Sequence, residues 1–292
     1  MESERNVTRT RAFHTDASPF IPSKEEYDTH VSTKLVQDDL YYSMKNRPRG
    51  RLIVFNHESY DVVDGVGSTK REGTIKDIKK LENTFKNLGF TYDLQQDKTY
   101  AEIIRYCKRV ANMKELQNYD CLAVAILTHG GSGDFVYAKD NVPYNIKEVV
   151  QEFLADKCPY LSNKPKLFFI QACKGHMEQK RIFMRTMTDS SPESPVIYTI
   201  PAHSDVLISF ATLEGFIALR HPDWGSPYVD NLCKQLEQYG KEKNILDILT
   251  RVHHTLAVGK FKYDVGIDGP SVNITIQPSF LCYLNRFVVF KD

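Results

Sequence analysis

Two places in this sequence combine residue types that could perform nucleophilic chemistry. The apolar run Cys121–Leu127 leads into Thr128-His129-Gly130-Gly131-Ser132-Gly133, and the run Leu167–Ile170 leads into Gln171-Ala172-Cys173-Lys174-Gly175. A thiol attacks carbonyl carbon as the thiolate. An imidazole beside it can take the thiol proton and later return it to a leaving amine. Taken singly, His129 reads as an ordinary loop histidine and Cys173 as a thiol at a strand end. As a pair, each follows an apolar run and has glycine close behind, which shifts the reading towards catalysis. Gly130 and Gly175 allow the backbone to approach a substrate closely. Backbone N–H groups at such turns can hold the oxyanion of a tetrahedral intermediate. The pattern points to acyl transfer through a covalent thiol and leaves the substrate open.

The elements that must position these residues are legible as hydrophobic patterns. Leu52–Phe55, Cys121–Leu127, Leu167–Ile170 and Val206–Phe210 are continuous apolar runs, the mark of strands covered on both faces. Between them, Ile75, Ile78, Leu81, Phe85 and Leu88 recur at helical spacing, with Gly89 as a stop. Thr99-Tyr100-Ala101-Glu102 is a capping-box pattern opening a helix with Ile103, Ile104 and Cys107. Val149, Val150 and Phe153 predict a third helix. Further helices are expected around Tyr228–Tyr239 and Ile245–Val258, and a last strand region over Phe280–Phe290. This alternation predicts an α/β fold with a mostly parallel central sheet flanked by helices. In open α/β sheets, sites lie beyond the carboxyl ends of the strands. If their strands are neighbours, His129 and Cys173 share one rim.

The remaining composition narrows the function classes. The chain has 292 residues, 41% hydrophobic and 26% charged, with a formal net charge of +1. Near-neutrality gives no case for nucleic acid or a membrane surface as partner. No apolar run is long enough for a membrane span, and the polar start MESERNVTRTRAFHTD has no secretory h-region, so a cytoplasmic location is expected. The six cysteines include no CxxC pair, which leaves a zinc cluster unsupported. Reduced thiols are expected, with Cys107, Cys121, Cys158, Cys233 and Cys282 structural. No P-loop or G-x-G-x-x-G follows a strand, so a phosphate-binding domain is unsupported; no cofactor is called for. Residues 1–45 lack periodicity and read as a flexible leader. The Ser/Pro-rich stretch around Asp189-Ser190-Ser191-Pro192 reads as an exposed linker. Phe280–Leu284 could be an edge strand seeking a partner or an internal strand under a helix.

Gln171-Ala172-Cys173-Lys174-Gly175 resembles the Q-A-C-[RQG]-G signature of caspases, whose histidine lies about fifty residues upstream. Arg71-Glu72-Gly73-Thr74, Thr128-His129-Gly130, the run Lys164 to Cys173, and Ile248-Leu249-Thr250-Arg251-Val252 extend the resemblance over nearly all the chain from about Tyr41. The resemblance implies a caspase-like fold and a short-leader, executioner-like cysteine endopeptidase that cuts after aspartate, in apoptosis. It implies Cys173 as nucleophile and His129 as the catalytic histidine. The backbone N–H groups of Gly130 and Cys173 would form the oxyanion hole, and the backbone carbonyl of Thr69 would orient the histidine. It places Arg71, Gln171 and Arg220 in the aspartate pocket, with Leu219 and His221 in the substrate groove. Two guanidiniums and an amide suit a carboxylate, through charge-assisted and bidentate hydrogen bonds.

The resemblance further implies a leader over 1–45, a large subunit over 46–189, a linker and start of the small subunit over 190–205, and the small subunit over 206–292. Processing is expected after Asp189 and Asp16. Partners would be protein substrates, a second copy in a homodimer paired through the last strand, an upstream initiator caspase and inhibitor proteins. Three positions depart from the pattern: Lys174 where Arg or Gln is usual, and Leu219 and Pro227 where aromatics are usual. They keep a second reading open, a catalytically weak paralogue that regulates an active caspase by pairing with it. A protease of the same architecture that cuts after basic residues would need an acidic pocket, which Arg71 and Arg220 oppose.

Overall fold

A computed structural model describes residues 40–62, 70–175, 177, 204–264 and 271–291. Its centre is a six-stranded sheet built from the apolar runs. In chain order the strands are β1 (Gly50–Asn56), β2 (Phe90–Gln96), β3 (Cys121–Leu127), β4 (Phe135–Tyr137), β5 (Pro143–Asn145), β6 (Lys166–Gln171), β7 (Val206–Phe210), β8 (Phe261–Asp264), β9 (Ser271–Ile274) and β10 (Ser279–Tyr283). The helices are α1 (Thr74–Asn87), α2 (Tyr100–Ala111), α3 (Ile146–Gln151), α4 (Pro227–Tyr239) and α5 (Ile245–Val258). The sheet order is β10-β7-β6-β3-β1-β2, with every pair parallel except β10–β7. β4–β5 and β8–β9 form separate two-stranded antiparallel sheets.

The continuous apolar runs have the expected cause. β3, β6 and β7 are buried at every position because helices cover both faces. Side chains still alternate. Leu52, Val54 and Ala123 join the layer with α1, α4 and α5, whereas Ile53, Phe55 and Val124 join the layer with α2 and α3. Each fully buried Leu, Ile or Phe contributes about 1.5–3 kcal/mol. The capping box of α2 is present, with Thr99 and Glu102 bonded reciprocally. Ser226 caps α4, and Pro227 occupies its first turn, where a missing N–H costs nothing.

Several expectations need correction. Ile75 is exposed on α1. Thr74 and Asp77 are the buried positions on that turn, and Asp77 accepts a hydrogen bond from Ser226 N at 2.8 Å. The last strand ends at Tyr283 instead of running to Phe290; beyond it only an isolated bridge pairs Phe287 with Tyr41. β2 and the hairpin β4–β5 were not anticipated: the first mixes polar and apolar residues as an edge strand, and the second is too short to show a period. Within the expected leader, Tyr42 and Met44 are buried, and Tyr42 donates to Asp205 Oδ1 at 2.6 Å. All six cysteines are free. Cys107, Cys121, Cys158 and Cys233 are buried, but Cys282 is exposed on β10 and packs no core.

The two ends of the described domain are tied by Arg49, whose side chain is 1% exposed. Its Nε donates to Met44 O at 3.1 Å, Nη1 to Phe290 O at 2.7 Å and Nη2 to Lys291 O at 3.0 Å. Arg49→Met would leave those carbonyls short of donors. It is expected to lower stability by about 2–4 kcal/mol, seen as a lower urea midpoint at unchanged slope; an unchanged midpoint would mean the clamp contributes nothing.

Candidate active site

β3 and β6 are adjacent, parallel and in register to their last residues, with Leu127 opposite Gln171. The pairing continues one step further, Thr128 N donating to Gln171 O at 3.2 Å. His129 and Cys173 therefore leave the sheet side by side at the carboxyl rim. Gly130 fits this closeness: a Cβ there would lie 2.3 Å from Cys173 O and 2.9 Å from the Ala172 Cβ. His129 O accepts from Tyr137 N at 3.0 Å, and Gly131 N donates to Phe135 O at 2.9 Å. Gly130, bridged to Val136 between these bonds, has its own N–H directed away from the hairpin. After Cys173, Gly215 N donates to Lys174 O at 2.7 Å and Lys174 N to Phe216 O at 2.9 Å. Gly175 packs so closely on Gly215 that a Cβ would lie 2.3 Å from its carbonyl. The half-buried Cys173 Sγ accepts from Ala218 N at 3.3 Å.

His129 is open along one edge and packed on the other. Its ring lies against Tyr60, centroids 5.0 Å apart, and Tyr60 in turn stacks on His57 at 6.1 Å. Tyr60 Oη accepts from His129 N at 3.0 Å and shares a 2.8 Å hydrogen bond with Thr128 Oγ1. Burial against this stack, and then the positive charges of Arg71 and Arg220, push the His129 pKa down to about 4. The imidazole is thus neutral at physiological pH, the form that can accept a proton. Burial likewise pushes His57 down to about 4, and its Nε2 bonds Lys98 O at 3.0 Å.

Those of the other expected site residues that are described lie near this pair. Arg71 is fully buried, donating from Nη1 to His57 O at 2.7 Å and to Leu127 O at 3.0 Å. Burial, and next the charge of Arg220, push its pKa down to about 10, so it remains a cation. Gln171 is buried and donates to Leu219 O at 3.3 Å, which ties β6 to the segment carrying Leu219. Arg220 is half-buried, and its Nε donates to Glu72 O at 2.8 Å. Arg71 Nε and Gln171 Oε1 have no hydrogen-bond partner among the described residues. Two guanidiniums with a buried amide and spare bonding capacity form a place for an anion. His221 stands next to Arg220, on the chain's surface. Thr69, Asp16 and Asp189 lie outside the described residues. Among those described, no group of three or more His, Cys, Asp or Glu could hold a metal ion, and no helix is long and apolar enough to cross a membrane.

Sequence reasoning missed Tyr60 and the partners of Lys174. Tyr60 lies in a polar stretch without period, and only its place after β1, beside β3, marks it. Lys174 Nζ is 2.6 Å from Asp134 Oδ1 and 3.4 Å from Glu214 Oε2, and lies 3.8 Å over the Phe210 ring. Glu214 Oε1 also accepts from Gly133 N at 2.8 Å. Lys174 therefore links the turns that follow β3, β6 and β7.

Comparison with known proteins finds relatives over most of this chain. A family profile described as Caspase domain matches residues 49–280. The chain is 40% identical over 255 residues to Caspase-1 of Spodoptera frugiperda, covering 86% of this chain and 81% of that protein. It is 37% identical over 253 residues to Caspase drICE of Drosophila melanogaster, covering 86% and 72%. The crystal structure of the Spodoptera frugiperda Caspase-1 superposes with a TM-score of 0.78 at 34% identity, covering 89% of this chain and 99% of that one.

The Lys174–Asp134 pair is mostly shielded from water, with side chains 12% and 20% exposed. Lys174→Met is expected to destabilise by about 1–2 kcal/mol by leaving Asp134 unpaired. The double variant Lys174→Met/Asp134→Asn should recover part of this, giving a coupling of about 1 kcal/mol in a urea-unfolding cycle. Strictly additive losses would show that the two side chains do not interact.

Proposed function

The chain belongs to the caspase family of cysteine-type, aspartate-directed endopeptidases, and we propose that it is a catalytically active member in which Cys173 attacks the backbone carbonyl of a substrate aspartate. The observation that carries this reading is the in-register β3–β6 rim, with His129 and Cys173 at adjacent strand ends and the cations Arg71 and Arg220 beside them. The Cys173 thiol passes its proton to neutral His129 as sulfur bonds the carbonyl carbon. The oxyanion is held by the N–H groups of Gly130 and Cys173. His129 returns the proton to the departing amine, leaving a thioester on Cys173. Water, deprotonated by His129, attacks the thioester, and the aspartate-terminated peptide leaves as the thiol re-forms. Thr69, through its carbonyl, orients His129. Arg71, Gln171 and Arg220 bind the substrate aspartate, with Leu219 and His221 along the groove. Lys174 departs from the family pattern, yet its cation is paired with Asp134 and Glu214 and so braces the turn that carries Cys173.

The same reading includes a leader released by cutting after Asp16, a cut after Asp189 that separates a large from a small subunit, and pairing of two copies along β10. β10 supports the pairing by its position at the sheet edge with Leu281, Cys282 and Tyr283 exposed. An initiator caspase would make the first cut, inhibitor proteins would occupy the groove, and the setting would be apoptosis in the cytoplasm.

Arg220→Ala tests the pocket. Part of the compensation for burying a substrate carboxylate disappears, so kcat/KM on an aspartyl peptide is expected to fall by about 2–4 kcal/mol in transition-state terms, with Cys173→Ala as the inactive, folded control. A base works only when neutral, so activity falls as pH drops through the His129 pKa. Removing a neighbouring cation raises that pKa, and the acid limb of the residual activity should move to higher pH. Undiminished cleavage after Asp by Arg220→Ala would place the pocket elsewhere.

The only aspartate between Cys173 and Asp205 is Asp189. Asp189→Ala is expected to give a single uncut chain of much lower activity, and an inserted site for a foreign protease should restore both cutting and activity. Full activity of the uncut variant would mean that cleavage is not the switch.

A further inference from the structure

The two aromatics usual in the groove are replaced here. Leu219 packs against the core, and Pro227 is buried in the first turn of α4. The groove is nevertheless not without an aromatic surface. Residues 221–225 form a tight turn closed by two bonds, His221 N to Gly225 O at 2.9 Å and Gly225 N to His221 O at 3.0 Å. On it the His221 and Trp224 rings stack in parallel, centroids 4.8 Å apart and planes 15° from each other. Both rings remain open to solvent, Trp224 at 42% and the His221 side chain at 45%.

This turn is fixed from three sides. Lys80 Nζ donates to Trp224 O at 2.8 Å and is itself paired with Asp230 at 2.6 Å. Gly225, at φ 87°, has the Asp77 carboxylate 2.3 Å from where a Cβ would be. Gly73, at φ 82°, has the His221 carbonyl 2.2 Å from the same place. The segment Arg71–Gly73 and the segment Arg220–Pro222 therefore lie back to back, and the turn is continuous with the cations of the aspartate pocket. A large aromatic face held rigid and left open beside a peptide-binding site gives contact area with little ordering entropy left to lose.

We propose that the His221–Trp224 stack is a specificity ledge that receives an aromatic or bulky aliphatic side chain lying N-terminal to the substrate aspartate. The proposal rests on the reading of Arg71 and Arg220 as the aspartate pocket. The chemistry of the turn selects against acidic residues at that upstream place. Asp223 is 90% exposed with its Oδ2 3.9 Å from His221 Nδ1. Nδ1 accepts from Asp223 N at 3.1 Å, which puts the imidazole proton of this geometry on Nε2. The ledge thus offers two ring faces and a nearby carboxylate, a poor seat for a second anion.

The test uses linker-cleaved enzyme and peptide libraries with Asp fixed before the scissile bond and each upstream position varied. The parent is expected to favour aromatic or aliphatic over acidic residues at one upstream position. Trp224→Ala should lose about ten-fold of that preference, with the requirement for Asp unchanged, and Trp224→Phe should keep most of it. Trp224 is the chain's single tryptophan. Its emission in Cys173→Ala protein should therefore change when a peptide with an upstream Phe binds, and stay constant with an upstream Gly. Identical upstream profiles for parent and Trp224→Ala, or constant emission while calorimetry shows the Phe peptide bound, would overturn the ledge. A parent that cleaves no Asp peptide at all would instead overturn the underlying reading of the pocket.

Discussion

The hydrogen-bonded register between β3 and β6 is the constraint on which the site depends. Leu127 faces Gln171 across that pair, and the chain leaves both strands two residues short of His129 and Cys173. A slip of one residue would move one of them about 3.3 Å along the sheet and turn every core side chain of that strand to the opposite face. The register is therefore held by the whole core, since Ala123 and Leu167 fill one layer while Val124 and Phe168 fill the other. Gly130 depends on the same alignment, because the Cys173 carbonyl occupies the space its side chain would need.

The site's electrostatics follow from burying cations with incomplete compensation. Arg71 is taken out of water and donates to two backbone carbonyls, which carry partial charge only. Arg220, half-buried, adds a second positive charge close by. Desolvation and mutual repulsion push Arg71 down to about 10, which still leaves it charged at neutral pH. The same charges help hold His129 neutral. Anion and base are linked through this shared field. A carboxylate seated between the guanidiniums would offset the charges that depress His129, making its protonated form easier to reach as the thiol gives up its proton. A neutral or basic side chain in the same place would leave the field unrelieved.

The sequence makes the strands and long helices of this fold legible because each is a strong periodic signal closed by capping or glycine. Val206–Phe210 and Ile245–Val258 coincide with β7 and α5 at both ends. Local pattern cannot show what a side chain meets from another part of the chain. Asp77 looks like a solvated helix residue until Ser226 arrives from α4's start, and Ile75, apolar and in phase, faces water. The same limit applies to the site. His129 and Cys173 are visible from strand ends, glycines and a motif. Tyr60 is not, since its role as the packing face of His129 exists only once β1 and β3 are neighbours. Lys174 reads as a departure in one dimension. In three it meets Asp134 and Glu214, residues that carry no motif and lie on two other turns.

The order of strands also explains how a polypeptide cut between β6 and β7 could keep its site. β6 and β7 are paired along five registered residues, from Lys166–Val206 to Ile170–Phe210. Beyond the strand ends, Lys174 and Gly215 exchange backbone contact, and the Lys174 ammonium reaches Glu214. β7 carries β10 on its far side, and α4 and α5 pack into the same layer as α1. Everything after β7 is thus held to everything before β6 by sheet bonds and a shared core, not by the covalent connection. In such an arrangement the connection contributes effective concentration, which changes only slowly with its length, by about 0.6 kcal/mol of loop-closure entropy for each doubling. Cutting it would leave the two pieces associated through that shared core, at the cost of the effective concentration the connection had supplied. The contacts that would hold a severed chain together are therefore those of the central parallel pair and the core on its two faces, not those of the connection.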